Sequence, residues 1–234
     1  MKLRLETAAM DALTVRLFDE IDETNMAWII AADHALREAF GNALIDLIPS
    51  YTSLLVHYDC QQLPFAQATT LIRDALRHLT PAENQHGQLH EIPVWYDESV
   101  GPELPLVAER AGLSVGALIE RHCNHDYCVF ALGFAPGYGF MGLVDERLAT
   151  PRLKTPRRRV TAGSVGIAER QTAIYPLPSP GGWNILGRTP VPLFDYAKRG
   201  EPLLRPGDKV RFKAITKAEF EASGGDTSPM EERP

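Results

Sequence analysis

Apolar and polar residues alternate at two different periods along this chain, and the period changes near its middle. Leu13, Val15 and Leu17 alternate with Thr14 and Arg16, which predicts a half-buried strand. Ile29, Ala32, Leu36 and Phe40 then recur at helical spacing behind an acidic start, so a helix follows. Residues 44–48 and 53–57, parted by Pro49-Ser50, predict two further strands. A second helix carries Phe65, Ala68, Ile72, Ala75, Leu76 and Leu79 on one face, with Pro64 at its entrance and Thr80-Pro81 at its end.

A polar loop, 81–87, separates this part from a strand over 89–96 and two short helices, 104–111 and 114–121, the second capped by Ser114. From Tyr127 the helical period disappears. Short apolar runs broken by Gly and Pro at roughly 8–12-residue intervals predict a barrel or sandwich, with 209–215 as its last strand. The predicted organisation is a small α+β domain over residues 1–87, a mainly β domain over 88–215, and a short helix with a disordered tail over 216–234. No internal repeat is present.

Composition narrows the function classes. With 24 basic and 30 acidic residues the net charge is -6, so the chain has no general attraction for nucleic acid or anionic membrane, and any anion site must be local. The start, Met1-Lys2-Leu3-Arg4, lacks the apolar run of a signal peptide, and no segment approaches the roughly 18 apolar residues of a membrane span. The three cysteines, Cys60, Cys123 and Cys128, make an odd count that suits a reducing compartment, so a cytoplasmic protein is expected.

Gly137-Tyr138-Gly139-Phe140-Met141-Gly142 matches a dinucleotide-binding spacing, but Pro151 and Pro156 interrupt the helix such a turn must open, and the expected acid downstream is missing. His122, Cys123, His125 and Cys128 are metal-ligand types at a spacing that fits zinc poorly, so no metal is assigned. His122 is the better candidate for proton transfer, against the alternative of a surface or helix-capping histidine.

Arg147, Arg152, Lys154, Arg157, Arg158 and Arg159 cluster in an otherwise acidic chain, and Pro151 and Pro156 stiffen the backbone before Arg152 and Arg157. Two readings stay open, an anion-binding face or a solvated face paired with Asp145 and Glu146. Ser164 lies in a small-residue strand without nucleophile-elbow spacing and is read as a hydrogen-bond donor. The stretch 174–190, where Pro176, Pro178, Pro180, Gly181, Gly182 and Pro190 frame Trp183 and Arg188, describes a rigid loop suited to ligand contact.

Taken in order, His122, Tyr127-x-Val129, Gly133-Phe134-x-Pro136-Gly137, Pro151-Arg152, Pro156-Arg157, Ala162-Gly163-Ser164-Val165, Tyr175-Pro176, Ser179-Pro180-Gly181-Gly182-Trp183 and Gly187-Arg188-Thr189-Pro190 closely resemble the allophanate hydrolase subunit 1 family, also described as carboxyltransferase subdomain C and D. The resemblance implies an α+β N-terminal domain followed by a cyclophilin-like barrel. Bacterial members include the B component of the ATP-dependent 5-oxoprolinase, which with the A and C components opens 5-oxoproline to glutamate. Other relatives are carboxyltransferase parts of urea carboxylase and an inhibitor of a sporulation sensor kinase.

The resemblance therefore implies ATP, with Mg, bound at a subunit interface or on a partner. Thr161, Arg158 and Tyr138-Gly139-Phe140 depart from the family pattern. The site expected on this basis has His122, Arg157 and Ser164 as catalytic groups. Phe134, Pro136, Gly137, Arg152, Arg159, Tyr175, Ser179, Gly181, Gly182, Trp183 and Arg188 are expected to bind substrate.

Overall fold

A computed structural model describes residues 2–82, 87–195 and 200–230 of the chain. It divides into two compact units, Met1–His86 and Gly87–Pro234.

In the first unit, β1 (Arg4–Ala9), β2 (Ala12–Arg16), β3 (Leu44–Pro49) and β4 (Ser53–Tyr58) form an antiparallel sheet in the order β1-β2-β4-β3. Helix α1 (Asn25–Phe40) buries Ile29, Ala32, Leu36 and Phe40, the positions its periodicity marks, and packs on β3, β4 and α2 (Phe65–Ala75). Strand β1 was not legible in the sequence. It is an edge strand, largely exposed, held by main-chain pairing to β2 and not by an apolar face.

The second unit is built on β5 (Leu89–Val94), β6 (Asp126–Leu132), β7 (Gly139–Gly142), β8 (Arg157–Val160), β9 (Ser164–Ala168), β10 (Gln171–Ile174), β11 (Ser179–Gly181), β12 (Asn184–Arg188) and β13 (Lys209–Ala214). Seven of these strands make one sheet in the order β12-β9-β10-β7-β6-β13-β5. Its two edges meet where the Trp95 N–H donates to the Arg188 carbonyl at 2.8 Å and the Arg188 N–H returns to the Trp95 carbonyl at 2.9 Å, so the sheet is nearly closed into a barrel. Val94, Val129, Met141, Val165, Ile167, Ile174, Leu186 and Phe212 fill its interior.

Helices α3 (Leu104–Ala111) and α4 (Val115–Cys123) pack against each other. Gly112, at φ 64°, ends α3 in the left-handed conformation that glycine adopts without a Cβ clash, and the Ser114 hydroxyl accepts from Ala117 N–H to cap α4. The two-stranded ribbon β8–β11 lies outside the large sheet. Gly139 to Gly142 are strand β7, and the next helical element is a three-residue turn, Glu146–Leu148, so the glycine spacing opens no nucleotide-binding helix.

A capping box between Thr216 and Glu219 starts α5 (Lys217–Ala222). The segment beyond it departs from the expected disordered tail. As far as Met230 it lies against the second unit, the Met230 N–H donating to Ser99 O at 2.7 Å and its side chain buried. Its sequence is polar, and it is held by its main-chain groups and by the Met230 side chain, which composition does not reveal.

Candidate functional site

A cleft of about 300 Å³ opens beside the β8–β11 ribbon, lined by Phe134, Tyr138, Phe140, Arg152, Pro156, Tyr175, Pro180, Gly181, Gly182 and Trp183. Six of the expected site residues, Phe134, Arg152, Tyr175, Gly181, Gly182 and Trp183, are thus brought together from loops as far apart as 134 and 183.

Local backbone rules place them. Tight hydrogen bonds from Gly133 N–H to Tyr138 O and from Tyr138 N–H to Ala135 O close the 133–138 turn. Gly137, at φ 80°, has the Leu193 carbonyl 2.8 Å from where a Cβ would stand. Pro136 and Gly137 shape this turn and do not line the cleft. Phe134 holds φ 70°, a conformation that costs a large side chain energy, and remains 66% exposed at the cleft's rim.

The walls are aromatic. Tyr138 stands edge-on to Tyr175 at 5.3 Å and to Trp183 at 6.1 Å between ring centroids. Arg152 lies over the Trp183 ring, 5.9 Å from its centroid, and has no carboxylate partner among the described residues. Gly181 is required by close approach, because a Cβ there would come within 2.3 Å of the Tyr175 hydroxyl oxygen. Burial pushes the Tyr175 phenol up. Hydrogen bonds from Tyr138 and the Trp183 main chain, and the charges of Arg152 and Arg157, act in the opposite direction. The phenol stays protonated at neutral pH and offers a donor beside a free arginine.

The three residues expected to be catalytic lie elsewhere. Arg157 is buried and clasped by the buried Glu103 through Nη2 to Oε1 at 2.6 Å and Nη1 to Oε2 at 3.0 Å. Glu103 Oε2 also accepts from Ile185 N–H at 3.0 Å, so this pair ties α3, the ribbon and β12 together, away from the cleft.

His122 is fully buried and stacked on Phe212 at 4.7 Å. The Thr172 hydroxyl gives its proton to Gly166 O, so His122 Nε2 donates to Thr172 Oγ1 and Nδ1 accepts from the Tyr96 hydroxyl at 2.8 Å. Burial lowers its pKa to about 3, which keeps it neutral, and it lies in the core and not on the surface as a cap. Ser164 is buried on β9, with its hydroxyl lacking a hydrogen-bond partner among the described residues.

Arg159 is exposed on β8, and Ser179 pairs with Val160 in the ribbon; neither lines the cleft. Arg188 is buried, its Nη1 donating to Asp226 O and Ser228 O at 2.6 and 2.8 Å. Tyr138 and Phe140 also line the cleft; they were not among the expected site residues, although they belong to the glycine-spaced aromatic run 134–140.

A larger hollow, about 590 Å³, lies at the end of α4 between Arg121, His125, Asp145 and Arg170. Its arginines are already paired, Arg121 with Asp145 at 2.6 Å and Arg170 with Glu146 at 3.1 Å, and it holds none of the expected site residues. The aromatic cleft is therefore the better candidate. No group of three His, Cys, Asp or Glu placed to hold a metal occurs among the described residues.

Residues 3–204 match the model of the carboxyltransferase domain, subdomain C and D. The chain belongs to this family. Among carboxyltransferase subdomain C and D relatives, the 5-oxoprolinase B component of Bacillus subtilis (strain 168) is 35% identical over 232 residues, covering 95% of this chain and 97% of that protein. The solved structure of TTHA0988 is 38% identical with a TM-score of 0.77, and the chain spans 95% of itself but 42% of that longer chain. The Kluyveromyces lactis urea carboxylase, at 18% identity, TM-score 0.79, 94% of this chain and 22% of that one, shares the fold. The family expected from the motifs is thus the one found, together with a mixed α+β architecture.

Proposed function

We propose that this chain is the B component of an ATP-dependent 5-oxoprolinase, part of an enzyme that opens 5-oxo-L-proline to L-glutamate together with its A and C components. The near full-length likeness to a relative of that name supports the assignment. The observation that carries the chemical reading is the cleft itself. An aromatic box with an arginine that has no carboxylate partner among the described residues and two buried phenols suits a compact ring bearing a carboxylate, and its size is that of a small-molecule site.

Arg152 takes the substrate carboxylate, Tyr138, Phe140 and Trp183 enclose the ring, and the Tyr175 hydroxyl donates to the exocyclic lactam oxygen. In the reaction the lactam oxygen takes the terminal phosphoryl group of ATP and ADP leaves. Water then adds to the activated carbon, the C–N bond breaks with a proton passing to nitrogen, and a second water releases phosphate. Such a sequence rests on positioning and charge stabilisation. The cleft presents binding groups without a nucleophile or an accessible general base, which supports a division of labour in which the A and C components complete the site. ATP and its Mg bind on a partner or at an interface in this scheme.

A cytoplasmic location belongs to the same proposal. Its structural support is that no helix among the described residues is long and apolar enough to cross a membrane. The test is reconstitution with candidate A and C components, followed by ATP-coupled glutamate release from 5-oxoproline. Turnover that needs all three chains supports the assignment, and a stable complex without turnover overturns it.

A further inference from the structure

Tyr175, Ser164 and Arg188 form a row across three neighbouring strands. Arg188 of β12 stands directly opposite Ser164 of β9, and Tyr175 N–H donates to the Ser164 carbonyl at 2.9 Å. Directly opposed residues share a face of the sheet. Val165 and Ile167 enter the barrel interior, whereas Ala168, Ala173 and Tyr175 belong to the outer cluster that also holds Trp183 and Met230. The row therefore lies on the face that carries the aromatic cleft.

Arg188 is an undercompensated buried cation, only 1% exposed. Its Nη1 donates to two main-chain carbonyls, Asp226 O and Ser228 O, and the Asp226 carboxylate stays 3.9 Å from the same nitrogen. Nε and Nη2 have no acceptor among the described residues, and neither has the Ser164 hydroxyl beside them in register a hydrogen-bond partner. The Nε–Nη2 edge of a guanidinium is the fork that donates to both oxygens of one carboxylate. Buried charges are normally paired, so an arginine and a serine left with donors to spare mark a site whose best ligand is an anion.

The cover over Arg188 is slight. After α5 the chain Gly224-Gly225-Asp226-Thr227-Ser228-Pro229-Met230 is fastened by the two carbonyls on Arg188, by Met230 N–H to Ser99 O, and by the Met230 side chain, 8% exposed in the aromatic cluster. Such a segment belongs to the low-stability end of a fold.

We propose that Arg188 and Ser164 form a carboxylate-binding site that the C-terminal strap, residues 226–230, occupies as an internal competitor. A carboxylate engages the Nε–Nη2 edge and the Ser164 hydroxyl, and the strap, which caps the same guanidinium through Nη1, opens to admit it. The apparent affinity for carboxylate is lowered by the fraction of molecules in which the strap is closed. This site is distinct from the role given to Arg152, and it stands whether or not 5-oxoproline is the substrate.

The experiment uses the full 234-residue chain with acetate and inorganic phosphate as probes at constant ionic strength, following amide exchange of residues 226–230 and binding by calorimetry. Acetate is expected to speed exchange of these amides about tenfold. Met230→Asp, which releases the strap, is expected to tighten acetate binding by a similar factor. Ser164→Ala removes a hydroxyl that makes no hydrogen bond, so it keeps the fold while weakening acetate binding about fivefold. Arg188→Lys, which keeps the charge and loses the fork, weakens it further. Exchange unchanged by acetate, no gain in Met230→Asp, an unaltered Ser164→Ala, or a preference for phosphate over acetate would each overturn the proposal.

Discussion

Arg157 and Glu103 grip each other inside the second unit through two hydrogen bonds, 2.6 and 3.0 Å long, between residues 54 positions apart. One Glu103 oxygen also holds the Ile185 main chain, so the pair joins a helix, the ribbon and the barrel sheet. Removing one partner leaves a buried charge without compensation. Arg157→Ala is therefore expected to lose about 3–5 kcal/mol of stability in urea unfolding. The double variant Glu103→Leu/Arg157→Leu should recover a large part of that loss; a catalytic Arg157 would show the opposite pattern, with stability intact and turnover gone.

Buried His122 makes stability depend on pH. Its folded pKa is lowered to about 3 by burial, whereas the unfolded chain titrates near the ordinary value of 6.5. Between these values the unfolded state binds the extra proton, so stability falls as pH falls, by about 1.4 kcal/mol per unit once well below the unfolded pKa. Urea unfolding of wild type and His122→Gln between pH 6.5 and 5 should show a shallower slope in the variant. Equal slopes would remove His122 from the account.

Arg152 sits in the cleft without an ion-pair partner among the described residues, so its loss should leave the fold almost untouched. In the reconstituted enzyme Arg152→Ala is expected to raise KM for 5-oxoproline at least tenfold, roughly 1.4 kcal/mol of binding, with thermal unfolding unchanged. Arg152→Lys should restore a part of the affinity, because the charge returns without the planar fork.

Gly181 offers a steric test of the cleft's shape. A methyl group at this position would meet the Tyr175 hydroxyl oxygen at 2.3 Å, and the Tyr175 ring is packed against Tyr138. Gly181→Ala should cost about 1–3 kcal/mol and displace Tyr175. Gly182→Ala, whose nearest neighbour would be 3.7 Å away, should be neutral in the same unfolding assay.

Much of the fold was legible because its signals are local. The spacing of Ile29, Ala32, Leu36 and Phe40 marked the buried stripe of α1, and Ser114 marked the start of α4. The cleft was half legible, since the Pro and Gly around Trp183 announced a shaped loop and the family motifs pointed to Phe134 and Arg152. The expected residues that lie outside the cleft have partners that no local pattern reveals. Arg157 looked like a neighbour of Arg152 with the same task, yet the two separate where β8 begins and Arg157 turns inward to Glu103.

By itself the sequence determined the family and pointed to six of the residues that line the cleft, because periodicity, turn residues and ordered motifs act over a few positions at a time. Only the tertiary structure decided which arginine is free. Strand register and barrel closure bring Arg157 to Glu103 and Arg188 to the strap carbonyls, leaving Arg152 over Trp183 in the cleft. The same chemical group becomes a buried tie, a covered cation or an open ligand depending on the partner that distant parts of the chain deliver, and burial sets the energy of that difference.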